Sequence, residues 1–150
     1  MDAEERIVEA VEQRLGTFVK RAEQALLTEK SRVLRPFGLS VPQYAAMYAL
    51  SMASGLSGAQ LARVCWVTPQ SMASLLSTLE AKGLVERRPS AAHAQVLLAR
   101  LTRRGRALLE RADAAALAVE ARLSGAYSAE EERLVRDLLQ RGTAALSEEP

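Results

Sequence analysis

Gln70, Ser71, Ser74 and Ser77 are the side chains in this sequence whose types and spacing best suit specific chemistry. They recur within residues 68–82, and their amide and hydroxyl groups can each donate and accept hydrogen bonds. The base edges in a DNA groove present matching donors and acceptors, and short side chains allow a helix to approach them closely. A helix that meets only water usually carries Glu and Lys instead. The alternative is an ordinary amphipathic helix whose serines are merely solvated.

The element that must position these groups is a helix over residues 68–82. Thr68 is a suitable N-cap, and Pro69 stands at the first helical position, where its missing N–H costs nothing. Gly83 marks the end of the helix. The opposite face is apolar at helical spacing and must point inward, through Met72, Leu75, Leu76 and Leu79.

Two more helices precede this one, and each starts at a capping box, Ser40 to Gln43 and Ser57 to Gln60. The first runs over about 41–54, and Gly55 is placed to stop it in a left-handed conformation. The second is short. The residues predicted to face the core are Tyr44, Met47 and Leu50 in the first helix and Leu61, Val64 and Cys65 in the second.

A basic hairpin is predicted after residue 83, because the spacing of the apolar residues changes there from helical to alternating. Leu84–Arg88 and Leu97–Leu101 are typical of two short strands joined by the loop PSAAHAQ, with Leu97, Ala99 and Leu101 on one face. Two short helices followed by such a hairpin form a winged helix-turn-helix arrangement, in which the second helix enters the major groove of DNA.

Helices are also predicted at both ends of the chain. Residues 3–32 have the narrow apolar stripe of a single long helix that packs on another helix, through Val8, Val11, Leu15, Phe18, Ala22 and Ala25. Thr102 caps a helix that runs to about Leu123, and a third capping box at Ser128 starts the last helix. The predicted fold class is mainly α with a small β-hairpin wing.

Charge is distributed unevenly along the chain. Residues 38–106 hold eight basic and two acidic side chains, whereas residues 1–37 are balanced and residues 107–150 are acidic. A basic middle segment indicates a surface that binds a polyanion such as DNA. Chance clustering of solvated arginines is the alternative, and charge alone does not decide between the two.

Composition argues against several other functions. There is no apolar run long enough to span a membrane and no secretory signal, and the single cysteine, Cys65, is typical of a reducing cytoplasm. With one His, one Cys and no Gly-rich phosphate loop, we expect neither an enzyme, a cofactor nor a metal site. A redox role for Cys65 and a metal-binding or pH-sensing role for His93 are weaker alternatives to inert packing and a solvated loop.

The segment LSGAQLARVCWVTPQSMASLLSTLEAKGLVERR and the following LTRRG resemble the MarR family, regulators related to the multiple antibiotic resistance repressor. The resemblance implies a cytoplasmic homodimer on double-stranded DNA with a pseudo-palindromic operator. It implies that residues 1–37 and 104–150 form a helical dimerisation region and that residues 38–103 form the winged DNA-binding region. It also implies a repressor that a small phenolic or amphipathic effector releases from DNA. The operator, the effector and the choice between repressor and activator stay open.

Candidate DNA contacts follow from the helix face, the hairpin and this resemblance: Ser57, Thr68, Pro69, Gln70, Ser71, Ala73, Ser74, Ser77, Arg87, Arg88 and Gln95. The family's hairpin commonly carries Asp-x-Arg, where this chain has His93 and Gln95. Gln95 lacks the charge that a narrow minor groove attracts, so the alternatives are a weaker wing contact or one carried by Arg87, Arg88 or Arg100. This departure also favours the alternative of a helical protein–protein interaction module that binds DNA weakly.

Candidate ligand-binding residues lie near the predicted junction between the two regions, and they are Phe37, Tyr44, Met47 and Trp66. Aromatic and thioether side chains are typical of the walls of small-molecule sites. Core packing explains these residues equally well, so ligand binding and core packing both stay open as interpretations.

Overall fold

The computed structural model describes residues 2–147, which form seven α-helices, a single 3₁₀ turn and one small sheet. The helices are α1 (Ala3–Glu12), α2 (Leu15–Leu34), the 3₁₀ turn (Arg35–Phe37), α3 (Val41–Ser51), α4 (Gly58–Val64), α5 (Pro69–Ala81), α6 (Arg103–Ser124) and α7 (Ala129–Ser147). The strands are β1 (Leu56–Ser57), β2 (Val85–Pro89) and β3 (Leu97–Leu101). The predicted fold class, mainly α with a hairpin wing, is confirmed.

The sheet is antiparallel, with β3 between β1 and β2. In the hairpin, Arg87 lies opposite Ala99 and Arg88 opposite Leu98. On the other edge Leu56 pairs with Ala99. The sequence did not predict β1, because a strand of two residues is too short to show an alternating pattern.

One apolar core holds the helix-turn-helix and the wing together. Its largest fully buried side chains come from α2, α3, α4, α5 and β2, and Leu84 in the loop after α5 is nearly as buried. The main members are Leu34, Met47, Leu50, Leu61, Met72, Leu79, Leu84 and Val85. The predicted inner face of α5 is confirmed, with Leu75 only half-buried. Val64 was predicted to face inward, but this is wrong: its side chain is 58% exposed, because the buried face of α4 is centred on Leu61, Ala62 and Cys65 and Val64 lies to one side of it.

Backbone hydrogen bonds tie the end of α5 to the wing and to α6. Gly83 takes a left-handed conformation, φ +69°, after which the Leu84 N–H donates to the Leu79 carbonyl at 3.0 Å. The hydroxyl of Thr102 donates to the Gly83 carbonyl at 2.8 Å, and the Thr102 N–H donates to the Leu84 carbonyl at 3.1 Å. These bonds fix the direction in which the wing leaves α5.

The prediction of one long helix over residues 3–32 is wrong, because the chain breaks between α1 and α2. Arg14 is extended, with ψ 125°, and begins the second helix. The Thr17 hydroxyl donates across the break to the Val11 carbonyl at 2.7 Å. Gly16 and Thr17 are weak helix formers, so the break costs little helical propensity and gains this bond.

Two smaller predictions about turns and strands also need correction. Gly55 has a positive φ of +150°, but α3 already ends at Ser51, so Gly55 shapes the turn into β1 rather than the helix end. A Cβ there would lie 3.0 Å from Arg100 Nε, so the bare backbone makes room for that side chain. In β3, Leu97, Ala99 and Leu101 alternate onto one side as expected, but that side is buried only at Ala99 and Leu101, because Leu97 lies near the wing tip and is 48% exposed.

The described chain forms two compact units, one through Ala116 and a second from Leu117. The second contains the end of α6 and all of α7. The predicted capping box of α7 is confirmed, since Ser128 N–H donates to the Glu131 carboxylate at 2.8 Å and Glu131 N–H donates to Ser128 Oγ at 3.2 Å. The hydrogen bond from the Ser128 backbone lowers the pKa of Glu131. The division into dimerisation and DNA-binding regions stays a prediction.

Candidate nucleic-acid interface

The first turn of α5 is organised by Thr68. Its hydroxyl oxygen accepts the Ser71 N–H at 3.1 Å, as expected of an N-cap. The same hydroxyl donates to Ser71 Oγ at 2.9 Å, so the proton of Ser71 remains available to an acceptor outside the chain. With Pro69 at the first helical position, the start of α5 presents hydroxyls and few backbone donors.

The outer face of α5 is polar, uncharged and exposed. Gln70, Ala73, Ser74 and Ser77 all lie on the surface while the leucines of the opposite face are buried. Within residues 2–147, the side chains of Gln70, Ser74 and Ser77 make no hydrogen bond. Their donors and acceptors are therefore ready for a partner such as the base edges of DNA.

Ser57 lies at the start of α4, next to the sheet. Its hydroxyl accepts the Gln60 N–H at 3.2 Å, and its own N–H donates to Gln60 Oε1 at 2.9 Å, which confirms the capping box. The hydroxyl proton is not used in this box, so Ser57 can still donate to a phosphate oxygen.

Both candidate wing arginines are ion-paired inside the protein. Arg87 Nε lies 3.0 Å from Glu80 Oε2 and joins β2 to the last turn of α5. This hydrogen bond lowers the pKa of the Glu80 carboxyl. Arg88 Nη2 lies 3.0 Å from Glu86 Oε2, and its side chain is largely exposed. Arg88 can therefore turn toward DNA more easily than Arg87, which holds β2 against the last turn of α5.

The tip of the wing is an uncharged loop. The Ser90 N–H donates to the Val96 carbonyl at 2.7 Å, and the Val96 N–H donates to the His93 carbonyl at 2.9 Å, so the loop is folded back on itself. His93 and Gln95 are both exposed there. Gln95 is thus positioned to reach outward, but without the charge of an arginine.

The predicted ligand-binding residues divide into two groups. Phe37 and Tyr44 are half-buried, and each contacts a residue of α6 that sequence reasoning missed, Arg111 for Phe37 and Asp113 for Tyr44. Tyr44 donates to Asp113 Oδ1 at 2.6 Å, and the Arg111 guanidinium lies 5.6 Å from the centre of the Phe37 ring. These partners are far apart in sequence, so no local pattern could have linked them.

The other two predicted ligand residues lie elsewhere. Met47 is fully buried in the core, which agrees with the packing interpretation. Trp66 does not pack on the core, and its side chain is 89% exposed in the turn between α4 and α5. The structure therefore does not bring Trp66 together with Phe37 and Tyr44 in one wall.

The remaining candidate groups are the thiol of Cys65 and the side chains that could bind a metal. Cys65 is half-buried, and burial raises the pKa of its thiol, which disfavours the reactive thiolate. In the described part of the chain, no three His, Cys, Asp or Glu side chains come close enough to hold a metal ion. No helix among residues 2–147 has the length and apolar character needed to cross a membrane.

A short helix, a tight turn, a longer helix with an exposed polar face and an adjoining hairpin define a winged helix-turn-helix protein. A sequence profile of the MarR family matches residues 37–96. The chain is also 39% identical, over 85% of its length and 91% of the relative's, to the HTH-type transcriptional repressor Rv2887 of Mycobacterium tuberculosis H37Rv. The chain belongs to the MarR family.

Solved structures agree with this assignment. The crystal structure of the Mycobacterium tuberculosis MarR family protein Rv2887 matches with 40% identity and a TM-score of 0.65, covering 85% of this chain and 92% of that one. CouR from Rhodococcus jostii RHA1, bound to p-coumaroyl-CoA, matches with a TM-score of 0.80 at 24% identity, covering 87% and 92%. That second likeness supports the fold alone. Rv2887 has also been crystallised in complex with DNA and with salicylic acid.

Proposed function

We propose that this protein is a sequence-specific repressor that places α5 in the major groove of its operator. The observation that carries the proposal is the exposed, uncharged polar face of α5. Gln70 can offer its amide donor and acceptor to adenine, and Ser74 can bond a base or a phosphate. The complex of the relative Rv2887 with DNA supports the same role for this chain.

The proposed assembly is a homodimer. Each unit of the chain leaves an apolar face exposed, which is costly in water and is covered when two copies pack together. The exposed residues are Val8, Val11, Leu15, Phe18 and Val19 on α1 and α2, and Leu134, Leu138 and Leu139 on α7. A twofold dimer would read a pseudo-palindromic operator with half-sites about 10 bp apart.

In this proposal the wing contributes general attraction more than base recognition. Gln95 reaches the minor groove without charge, while Arg88 can exchange Glu86 for a phosphate because its side chain is 73% exposed. We expect DNA affinity to depend mainly on α5.

The proposed effector is a small aromatic acid that binds beside Phe37 and Tyr44. Arg111 stands over the Phe37 ring and can pair with a carboxylate, while the two aromatic side chains can pack on a ligand ring. The complex of Rv2887 with salicylic acid supports this class of ligand.

Lys82 offers a link between this cluster and the DNA-binding helix. Its ammonium, at the end of α5, donates to the Gly38 carbonyl at 2.8 Å and to Gln43 Oε1 at 3.3 Å. Gly38 is the neighbour of Phe37, so a ligand that displaces Phe37 would pull on the end of α5. This connection is our proposed route from effector binding to release of DNA.

The DNA-binding proposal is tested with duplexes from the region upstream of the protein's own gene. We expect salt-sensitive binding that prefers one sequence over a scrambled duplex. Ser74→Ala should weaken operator binding by about 1 kcal/mol, about fivefold, with less effect on scrambled DNA. Ser31→Ala, on the exposed side of α2, is the matched control. Equal affinity for all duplexes, or none, would favour the protein–protein module instead.

The effector proposal is tested by measuring operator affinity with and without salicylate. We expect salicylate to weaken binding and to raise the thermal midpoint of the free protein, since a ligand of the folded state stabilises it. Lys82→Met keeps the aliphatic stem but removes the ammonium contacts, so the ratio of the two affinities should fall toward one. An unchanged ratio in Lys82→Met would exclude this route while leaving the effector site intact.

A further inference from the structure

Trp66, the only tryptophan in the chain, lies in the turn between α4 and α5 with a left-handed backbone. Its φ is +57°, and it is the one non-glycine residue with a positive φ in the described range 2–147. A side chain in this conformation crowds the backbone, so glycine is the residue that helix ends of this kind favour.

Two other helix ends in the same chain show what the turn would ordinarily contain. After the 3₁₀ turn and after α5, the left-handed position holds Gly38 and Gly83, with φ +67° and +69°. The hydrogen bonds match at all three sites: Val67 N–H donates to the Ala62 carbonyl at 3.0 Å, as Leu84 N–H does to Leu79 at 3.0 Å. Only the α4 turn carries a bulky residue at this position.

The strain at Trp66 is not offset inside the protein. The neighbours Cys65 and Val67 pack against the core, whereas the Trp66 ring is 89% exposed. A large aromatic surface held in water on a strained backbone gains nothing from the fold. The turn requires the left-handed backbone but not a tryptophan in it. Strained residues of this kind are concentrated at functional sites, and a partner outside the chain would supply the contact that the ring lacks.

The position of the ring indicates which partner. Trp66 comes two residues before Thr68, the cap of the helix proposed to enter the major groove. Arg63, on the preceding turn of α4, is exposed and has no carboxylate partner among residues 2–147. A helix that enters a groove by its N-terminus brings the residues just before it to the sugar–phosphate strand at the groove edge.

We propose that Trp66 is a DNA-backbone contact. Its indole would pack on the deoxyribose of the strand that borders the groove, and its Nε1–H would donate to a phosphate oxygen. The indole is suited to this position because it combines a large apolar body with one hydrogen-bond donor. Arg63 would pair with a neighbouring phosphate. This inference rests on the proposed DNA-binding function and extends its surface beyond α5 and the wing.

Such a contact has a distinct signature. Backbone contacts carry no sequence information, so loss of the Trp66 ring should weaken binding to operator and scrambled duplexes by similar factors. The indole is neutral, so the salt dependence should stay the same. Loss of the Arg63 charge should instead reduce the slope of log affinity against log salt by about 0.9.

The experiment compares Trp66→Gly and Trp66→Asn with the wild-type protein. Both replacements suit a positive φ, so we expect the thermal midpoint of the free protein to rise. We expect affinity for both duplexes to fall about fivefold to tenfold, within the range of one stacking or backbone contact. Trp66→Phe, which keeps a ring without the donor, should lie between. Met52→Asn, which removes another exposed apolar side chain, is the control.

Fluorescence gives an independent readout, because Trp66 is the only indole. We expect duplex DNA to shift its emission and to protect it from iodide quenching, whereas salicylate should leave quenching unchanged.

The inference is overturned if the wild-type protein binds DNA with Trp66 still open to iodide, or if Trp66→Gly binds as tightly as wild type. A lower thermal midpoint in Trp66→Gly, or a change in oligomeric state, would also overturn it, since either assigns the ring to another contact. If the wild-type protein binds no DNA, the proposed function itself fails.

Discussion

Glu80 and Arg87 illustrate how a single ion pair can position the wing. The pair joins the last turn of α5 to β2, with Arg87 Nε 3.0 Å from Glu80 Oε2. An arginine predicted to contact DNA is thus already held by the protein. The pair holds the hairpin against α5, and only the N–H groups of Arg87 that are not used by Glu80 can face a phosphate.

The pair should show itself in the pH dependence of stability. The hydrogen bond from Arg87 lowers the pKa of Glu80 in the folded protein. The pair therefore stabilises the fold above the unfolded carboxyl pKa, and this contribution is lost as the pH falls through the lowered folded value. We expect Glu80→Gln to lower the free energy of unfolding at neutral pH, and we expect its difference from wild type to disappear as the pH falls through the lowered folded pKa of Glu80.

The measurement is urea denaturation of both proteins across this pH range. Glu110→Gln, an exposed glutamate of α6, is the control and should show no such convergence. A difference between wild type and Glu80→Gln that persists at the acidic end would contradict an electrostatic origin and assign the effect to packing.

At the scale of elements, the parts set by local chemistry were predictable. Helix α5 was placed within a residue of its observed ends, because Thr68, Pro69 and Gly83 act on their immediate neighbours. Its polar face followed from the same helical spacing that buries Met72 and Leu79. The exposed candidate contacts on α5 can therefore be predicted from about fifteen consecutive residues of sequence.

Features that depend on particular side-chain contacts, whether near or distant in the sequence, were not predictable. The break between α1 and α2 replaces one long helix because the Thr17 hydroxyl donates to the Val11 carbonyl. The spacing of apolar residues does not predict this hydrogen bond. The pairing of Tyr44 with Asp113 joins α3 to α6 across most of the winged region. Whether Arg87 is paired depends on how β2 lies against the last turn of α5, which the sequence pattern does not specify.

Gly105 is another long-range requirement, and it limits how α6 can leave the wing. A Cβ built on Gly105 would lie 2.0 Å from the Leu84 carbonyl oxygen, which is backbone and cannot move aside without breaking its bond to Thr102. We therefore expect Gly105→Ala to destabilise the fold by about 2 kcal/mol or more, as overpacking against backbone does.

Gly142→Ala is the matched control for this substitution. Gly142 lies inside α7 with nothing within 4 Å of its Cβ position, so alanine should stabilise the helix by about 0.5–1 kcal/mol. The readout is the midpoint of urea unfolding at constant slope. If both variants moved in the same direction, the close approach of α6 to Leu84 would not be a property of the folded protein.

At the scale of the whole molecule, apolar surface is distributed in a way that a single copy does not explain. The winged region buries its leucines in one core, yet α1, the start of α2 and α7 leave theirs in water. Among residues 2–147 these helices thus have the amphipathic pattern of packed elements while much of their apolar face stays exposed. In the proposed dimer a second copy would cover that face and set the spacing between two α5 helices.

Phe18→Glu tests this arrangement. Phe18 is 55% exposed in one copy, and a twofold interface would bury it twice. Placing a carboxylate at each site should cost about 2 kcal/mol per copy, so dimer dissociation should become about a thousandfold easier. We expect a monomer by sedimentation at micromolar concentration, a thermal midpoint that no longer rises with protein concentration, and loss of operator binding because two half-sites are no longer engaged together. Gln24→Glu, which adds the same charge at an exposed polar position of α2, should remain dimeric. A dimeric Phe18→Glu that still binds its operator would place the interface elsewhere.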